Sequence, residues 1–67
     1  MVDIDKLREV IDSKGLRTSY IVQKSGIDRY TLYNRLKGKG EFTANEIVGL
    51  TKALGLTKAE RDSIFLS

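Results

Sequence analysis

Apolar residues recur at three- and four-residue steps along this chain, and nowhere do they alternate with polar ones in the two-residue period of a strand. Ile4, Leu7 and Ile11, with Val10 beside them, form the first stripe. Asp3 stands where an N-cap belongs and Gly15 where a helix ends, so the pattern predicts a first helix over about residues 3–14. A second run of two turns spans Thr18 to Ser25, with Arg17 or Thr18 at its start and Gly26 at its end. A third spans Asp28 to Lys37, with Asp28 as N-cap, Gly38 as stop, and Leu32 and Leu36 four apart on one side. Gly38-Lys39-Gly40 reads as a loop.

The last two helices open with stronger signals. Thr43-Ala44-Asn45-Glu46 is a capping box: the threonine oxygen accepts from the Glu46 backbone and the glutamate reaches back. Phe42 before it and Ile47 after it are spaced as a hydrophobic staple. Ile47, Leu50 and Leu54 then make a buried stripe that Gly55 closes. Thr57-Lys58-Ala59-Glu60 is a second capping box, opening a final helix with Ile64 and Phe65. Five such helices predict one all-α domain over residues 1–67, an orthogonal five-helix bundle. Its expected core is Leu7, Ile11, Leu16, Ile21, Val22, Ile27, Leu32, Leu36, Phe42, Ile47, Leu50, Leu54 and Ile64, with Leu56 and Phe65 as further candidates.

Composition removes several alternatives. With neither cysteine nor histidine, the chain has no disulfide and lacks the usual zinc ligands. No stretch approaches the ~20 apolar residues of a membrane span. The acidic start, Met1 to Asp5, is unlike a secretory leader, and a cytoplasmic, bacterial, nucleoid-associated protein is expected. An initial methionine without a visible tag is what a whole natural protein would carry. A domain this small has little room for a catalytic pocket, and Gly38-Lys39-Gly40 lacks the longer phosphate-cradling pattern, so no enzyme activity, cofactor, metal or small-molecule ligand is expected.

Charge adds direction. The net +3 is mild, but it is unevenly spread. Residues 1–12 carry Lys6 and Arg8 against Asp3, Asp5, Glu9 and Asp12, a balance of −2. Residues 41–67 carry Lys52, Lys58 and Arg61 against Glu41, Glu46, Glu60 and Asp62, a balance of −1. Residues 13–40 carry Lys14, Arg17, Lys24, Arg29, Arg35, Lys37 and Lys39 against Asp28 alone, a balance of +6. A basic excess confined to the middle third suits a surface that meets a polyanion, although a solvated basic stretch gives the same tally.

That middle third also holds the most specific pattern. A short helix, a turn at Gly26 and a second helix make a helix-turn-helix over about residues 18–37. Gly26 supplies the positive φ of the sharp turn. Ile21, Val22, Ile27 and Leu32 are expected to fill the wedge between the two helices, and Ser25 to be the small residue where they cross.

On these residues the chain resembles the phage-repressor and Cro-like family of helix-turn-helix regulators. The resemblance runs through nearly the whole chain. Tyr30 to Gly38, followed by Glu41-Phe42-Thr43 and Glu46-Ile47, looks like small phage-associated members in Gram-positive bacteria, as does Asp62-Ser63-Ile64-Phe65. The family often has alanine where Val22 stands and apolar residues where Ser25 and Arg35 stand. The resemblance implies a lambda-repressor-like DNA-binding domain with its third helix in the major groove and its second across the backbone.

With Leu32 and Leu36 inward, the third helix points Tyr30, Tyr33, Asn34 and Lys37 outward, with Arg29 at the edge. Arg29 can pair with guanine, Asn34 with adenine, and Tyr30 and Tyr33 with thymine methyls or phosphate. Packing of the tyrosines on neighbouring helices is the alternative. Thr18 and Ser19, at a helix start, and Arg17, Lys37 and Lys39 are the expected phosphate contacts, with Asn45 a further candidate. Arg35 reads as a snorkelling residue, Lys24 as a solvated charge. The expected function is sequence-specific double-stranded DNA binding by a Cro- or repressor-like transcriptional regulator of phage or mobile-element origin. It would act as a homodimer on a pseudo-palindromic operator, paired through Ile64, Phe65 and Leu66, unless Phe65 plugs the protomer's own core. The alternative is a protein-interaction module, an antirepressor or antitoxin, which an acidic third helix would favour over the basic one present.

Overall fold

The computed structural model describes residues 1–66. Among them the chain forms five α-helices and no strand: α1 (Ile4–Lys14), α2 (Thr18–Ser25), α3 (Arg29–Leu36), α4 (Ala44–Leu54) and α5 (Lys58–Phe65). All five expected helices are present, within a residue or two of their expected ends. A radius of gyration of 10.5 Å matches the ~11 Å of a folded chain this long. No helix is long and apolar enough to cross a membrane among the described residues.

Local chemistry explains the boundaries. Asp3 and Asp28 accept from the backbone N–H groups of Lys6 and Thr31, at 3.0 and 2.8 Å. Both capping boxes close, with Glu46 and Glu60 reaching back to the N–H groups of Thr43 and Thr57 at 3.1 and 2.9 Å. α2 is the exception among the described residues: Arg17 occupies its N-cap and makes no side-chain cap bond. Its first N–H groups thus lack the side-chain acceptor that the other four helices have. Gly26 ends α2 at φ +76°, a left-handed geometry that fits the turn into α3.

α4 lies at the centre. Its Gly49, Leu50, Ala53 and Leu54 are all buried, and α2 makes its most extensive contact with it. Leu7, Ile21, Ile27, Leu32, Leu56, Ile64 and Phe65 complete the core. Ile11, Leu16, Val22, Leu36, Phe42 and Ile47, expected inside, pack around it only partly buried. Ala53 is a core member that the apolar pattern did not single out.

Two expectations change. Ser25 does more than stand where α2 and α3 cross: its backbone carbonyl lies where a β-carbon on Gly49 would be, so α2 also approaches α4 closely. Its hydroxyl accepts from the Ile27 N–H at 3.2 Å and braces the turn. Ile64 and Phe65, expected at a dimer interface, lie inside the protomer. They are 0% and 4% exposed within the protomer, and Phe65 meets Phe42 edge-on at 5.4 Å between centroids. The Ile64 carbonyl further accepts from the Asp3 N–H at 2.7 Å, tying the chain's two ends together. Of the expected trio only Leu66 is exposed.

Candidate nucleic-acid interface

The outer side of α3 follows from its inner one. Leu32 is fully buried, so residues on the opposite side face water. Tyr30 is 75% and Tyr33 58% exposed, which sets aside the reading that they pack on neighbouring helices. Arg29 and Lys37 are exposed as well, and Asn34 is half-buried. The Asn34 carbonyl accepts from the N–H groups of Lys37 and Lys39 at 3.1 and 2.9 Å, so its backbone shapes the loop that follows. The Lys37 ammonium sits 4.1 Å from the Tyr33 ring centroid, a cation–π contact that holds the charge beside the aromatic face.

Tyr30 and Tyr33 border an open groove of about 560 Å³, whose remaining walls are Thr18, Arg29, Leu32 and Leu36. Its lining is mostly hydrocarbon. The groove brings three of the four expected base-reading residues together with one expected phosphate contact, Thr18 at the uncapped start of α2. Arg17 and Ser19 flank Thr18 and are exposed. Lys39 stands on the loop beyond the other end of α3. Asn45 lines a different, polar cleft of about 310 Å³ between the starts of α3 and α4, with Asp28, Thr31 and Glu46 among its walls.

Arg35 is the residue sequence reasoning misjudged. It is more than a snorkelling stem. Its Nε donates to Glu46 Oε1 at 3.2 Å, and its Nη1 donates to the Lys39 carbonyl at the same distance. The same Glu46 oxygen accepts from the Thr43 N–H in the capping box. One guanidinium therefore joins α3, the basic loop and the start of α4. Both side chains are mostly shielded, 21% and 15% exposed, so screening by salt is reduced. Gly40, at φ +75°, lies under this guanidinium, and a β-carbon there would collide with it. The partner of Arg35 lies eleven residues on and left no local trace in the sequence.

Asp28, the single acidic residue of the basic third, is taken up by capping. The Thr31 N–H, then the Thr31 hydroxyl, and to a smaller extent the Arg35 charge hold its carboxyl below the usual aspartate range. It remains ionised at neutral pH, with its charge directed to the start of α3. No family model, curated protein or solved structure matches the chain.

Proposed function

We propose that this protein binds double-stranded DNA sequence-specifically, as a Cro- or repressor-like transcriptional regulator of phage or mobile-element origin, with α3 in the major groove. The observation that carries the reading is the exposed side of α3. It presents Arg29, Tyr30, Tyr33 and Lys37, all of them exposed. Arg29 supplies a fork of donors suited to guanine O6 and N7, and Asn34 a donor–acceptor pair suited to adenine. The backbone-facing chemistry is separate: Arg17, Thr18 and Ser19 at the free start of α2, and Lys37 and Lys39 beyond α3. The sequence resemblance to repressor and Cro-like regulators points the same way.

A single protomer offers a small interface, so two copies on a pseudo-palindrome are part of the proposal. Half-sites one helical turn apart lie ~34 Å from each other. A backbone 25 Å in its longest extent, with side chains added, fits beside a second copy at that spacing.

Selection from a randomised duplex pool, followed by a salt titration, tests the reading. A recovered consensus is expected, with affinity falling as salt rises by a log–log slope of about −3 per protomer if Arg17, Lys37 and Lys39 each neutralise one phosphate. Asn34→Ala should relax one base position, whereas Lys39→Ala should weaken all sequences alike and reduce the slope by about 1. An absence of sequence preference at moderate salt would overturn the regulator reading and favour a protein partner.

A further inference from the structure

The groove along α3 is oddly apolar for a surface that meets a polyanion. Its floor and walls are Leu32, Leu36 and the Tyr30 and Tyr33 rings, and its polar groups stand at the rim: the Arg29 guanidinium and the Thr18 hydroxyl beside the uncapped start of α2. Among the groups that base pairs present in the major groove, the pyrimidine 5-methyl is the apolar one. The rim chemistry suits the neighbours of such a methyl. Arg29 matches the guanine O6 and N7 acceptors, and a helix start matches a phosphate. Cationic and anion-binding rims around a hydrocarbon floor complement a DNA edge better than an apolar peptide, which brings no negative charge to either rim.

We propose that this groove is a slot for the 5-methyl group of a pyrimidine, thymine or 5-methylcytosine, in a base pair next to a guanine contacted by Arg29. The inference rests on the DNA-binding reading and names what that site selects. Tyr30 and Tyr33 form the sides of the slot and Leu36 its inner wall. The Lys37 ammonium, 4.1 Å from the Tyr33 ring centroid, adds a cation beside that side of the slot. Leu32 is fully buried and backs the slot from beneath, so Leu36 and the two rings supply its accessible surface.

The test uses the consensus duplex from the selection. Each thymine is replaced singly by deoxyuridine, which removes the methyl and keeps every hydrogen bond. One position per half-site, next to a guanine, should lose about fourfold in affinity, the factor for returning one buried methyl to water. Cytosine at that position, paired with guanine, should bind better when it carries the 5-methyl group. Tyr33→Ser removes one side of the slot. This variant should bind the thymine and deoxyuridine duplexes equally while keeping its preference for the neighbouring guanine. Tyr33 is 58% exposed, so folding should survive, and a thermal melt checks that it does. If no thymine responds to methyl removal, or the response persists in Tyr33→Ser, the slot is refuted and the DNA-binding reading stands. If no duplex binds specifically, both fail together.

Discussion

The inner and outer sides of the α2–α3 pair divide the sequence's apolar residues by purpose. Inside, Ile21 and Leu32 are essentially inaccessible, and Ser25 lies backbone-close to Gly49 of α4. Outside, two tyrosines and a leucine edge line an open groove beside an arginine. Hydrophobic residues on the inner side are fixed by burial. On the outer side the Tyr30 and Tyr33 rings gain less from folding, since most of their area stays in water. A 67-residue chain has little core to spare, yet this one leaves two aromatic rings of α3 largely in water. An inner substitution should therefore change stability, and an outer one recognition alone.

The largest effect is expected at the α2–α4 contact. Gly49→Ala would ordinarily strengthen a helix interior by ~1 kcal/mol. Here its β-carbon meets the Ser25 carbonyl, a backbone group that cannot rotate aside. Overpacking of this kind costs about 1–3 kcal/mol, and an immovable neighbour puts it toward the upper end. A net loss of at least about 1 kcal/mol is expected, which lowers the Tm of a domain this size by about 4–8 °C. Denaturant melts measure it. A stabilised Gly49→Ala protein would mean that α2 and α4 are free to separate, and with them the platform under α3.

Much of this frame was legible in the sequence because its signals are local. Asp3, Asp28, Thr43 and Thr57 cap helices within a single turn, and each is recognisable without tertiary knowledge. The apolar stripe of α4 was equally plain. What stayed hidden involves residues distant in sequence. Gly49 looks like a weak helix position until Ser25 is placed against it. Arg35 looks like a surface cation until Glu46 and the Lys39 carbonyl meet its guanidinium. Phe65, near the chain end, reads equally as core or interface, and the Phe42 ring decides for core. For the candidate site, periodicity gave the side of α3 that faces out. The groove beside it needed the start of α2 in position.

A smaller effect is expected at the start of α3, where stability and the site share a residue. Asp28→Ala removes the acceptor of the Thr31 N–H and hydroxyl, so the variant should melt at a lower temperature at neutral pH. The folded carboxyl titrates below its ordinary range, so its contribution is full above the unfolded value near pH 4 and fades as pH falls through the folded value. The gap in Tm between the wild type and Asp28→Ala should therefore be constant from pH 7 to about 5 and close on further acidification. Glu60, held low by the Thr57 N–H, should behave alike in Glu60→Ala. A gap unchanged at pH 2 would mean that the carboxylate does not act as the cap.

The smallest change in stability is expected where the functional consequence should be large. Tyr30 is 75% exposed and has no hydrogen-bond partner described for its side chain, so Tyr30→Ser should move stability by no more than about 0.5 kcal/mol. It removes a wall of the groove and should weaken binding to the selected duplex, while Gly49→Ala, wherever it remains folded, should keep the sequence preference. The two variants thus separate along different axes, one in a melt and one in a binding titration. If Tyr30→Ser unfolded as readily as Gly49→Ala, the outer side of α3 would belong to the fold, and its exposed aromatic area would no longer argue for a partner. If it left both stability and affinity unchanged, the α3 face would be an ordinary solvated surface, and the basic third of the chain would need another explanation.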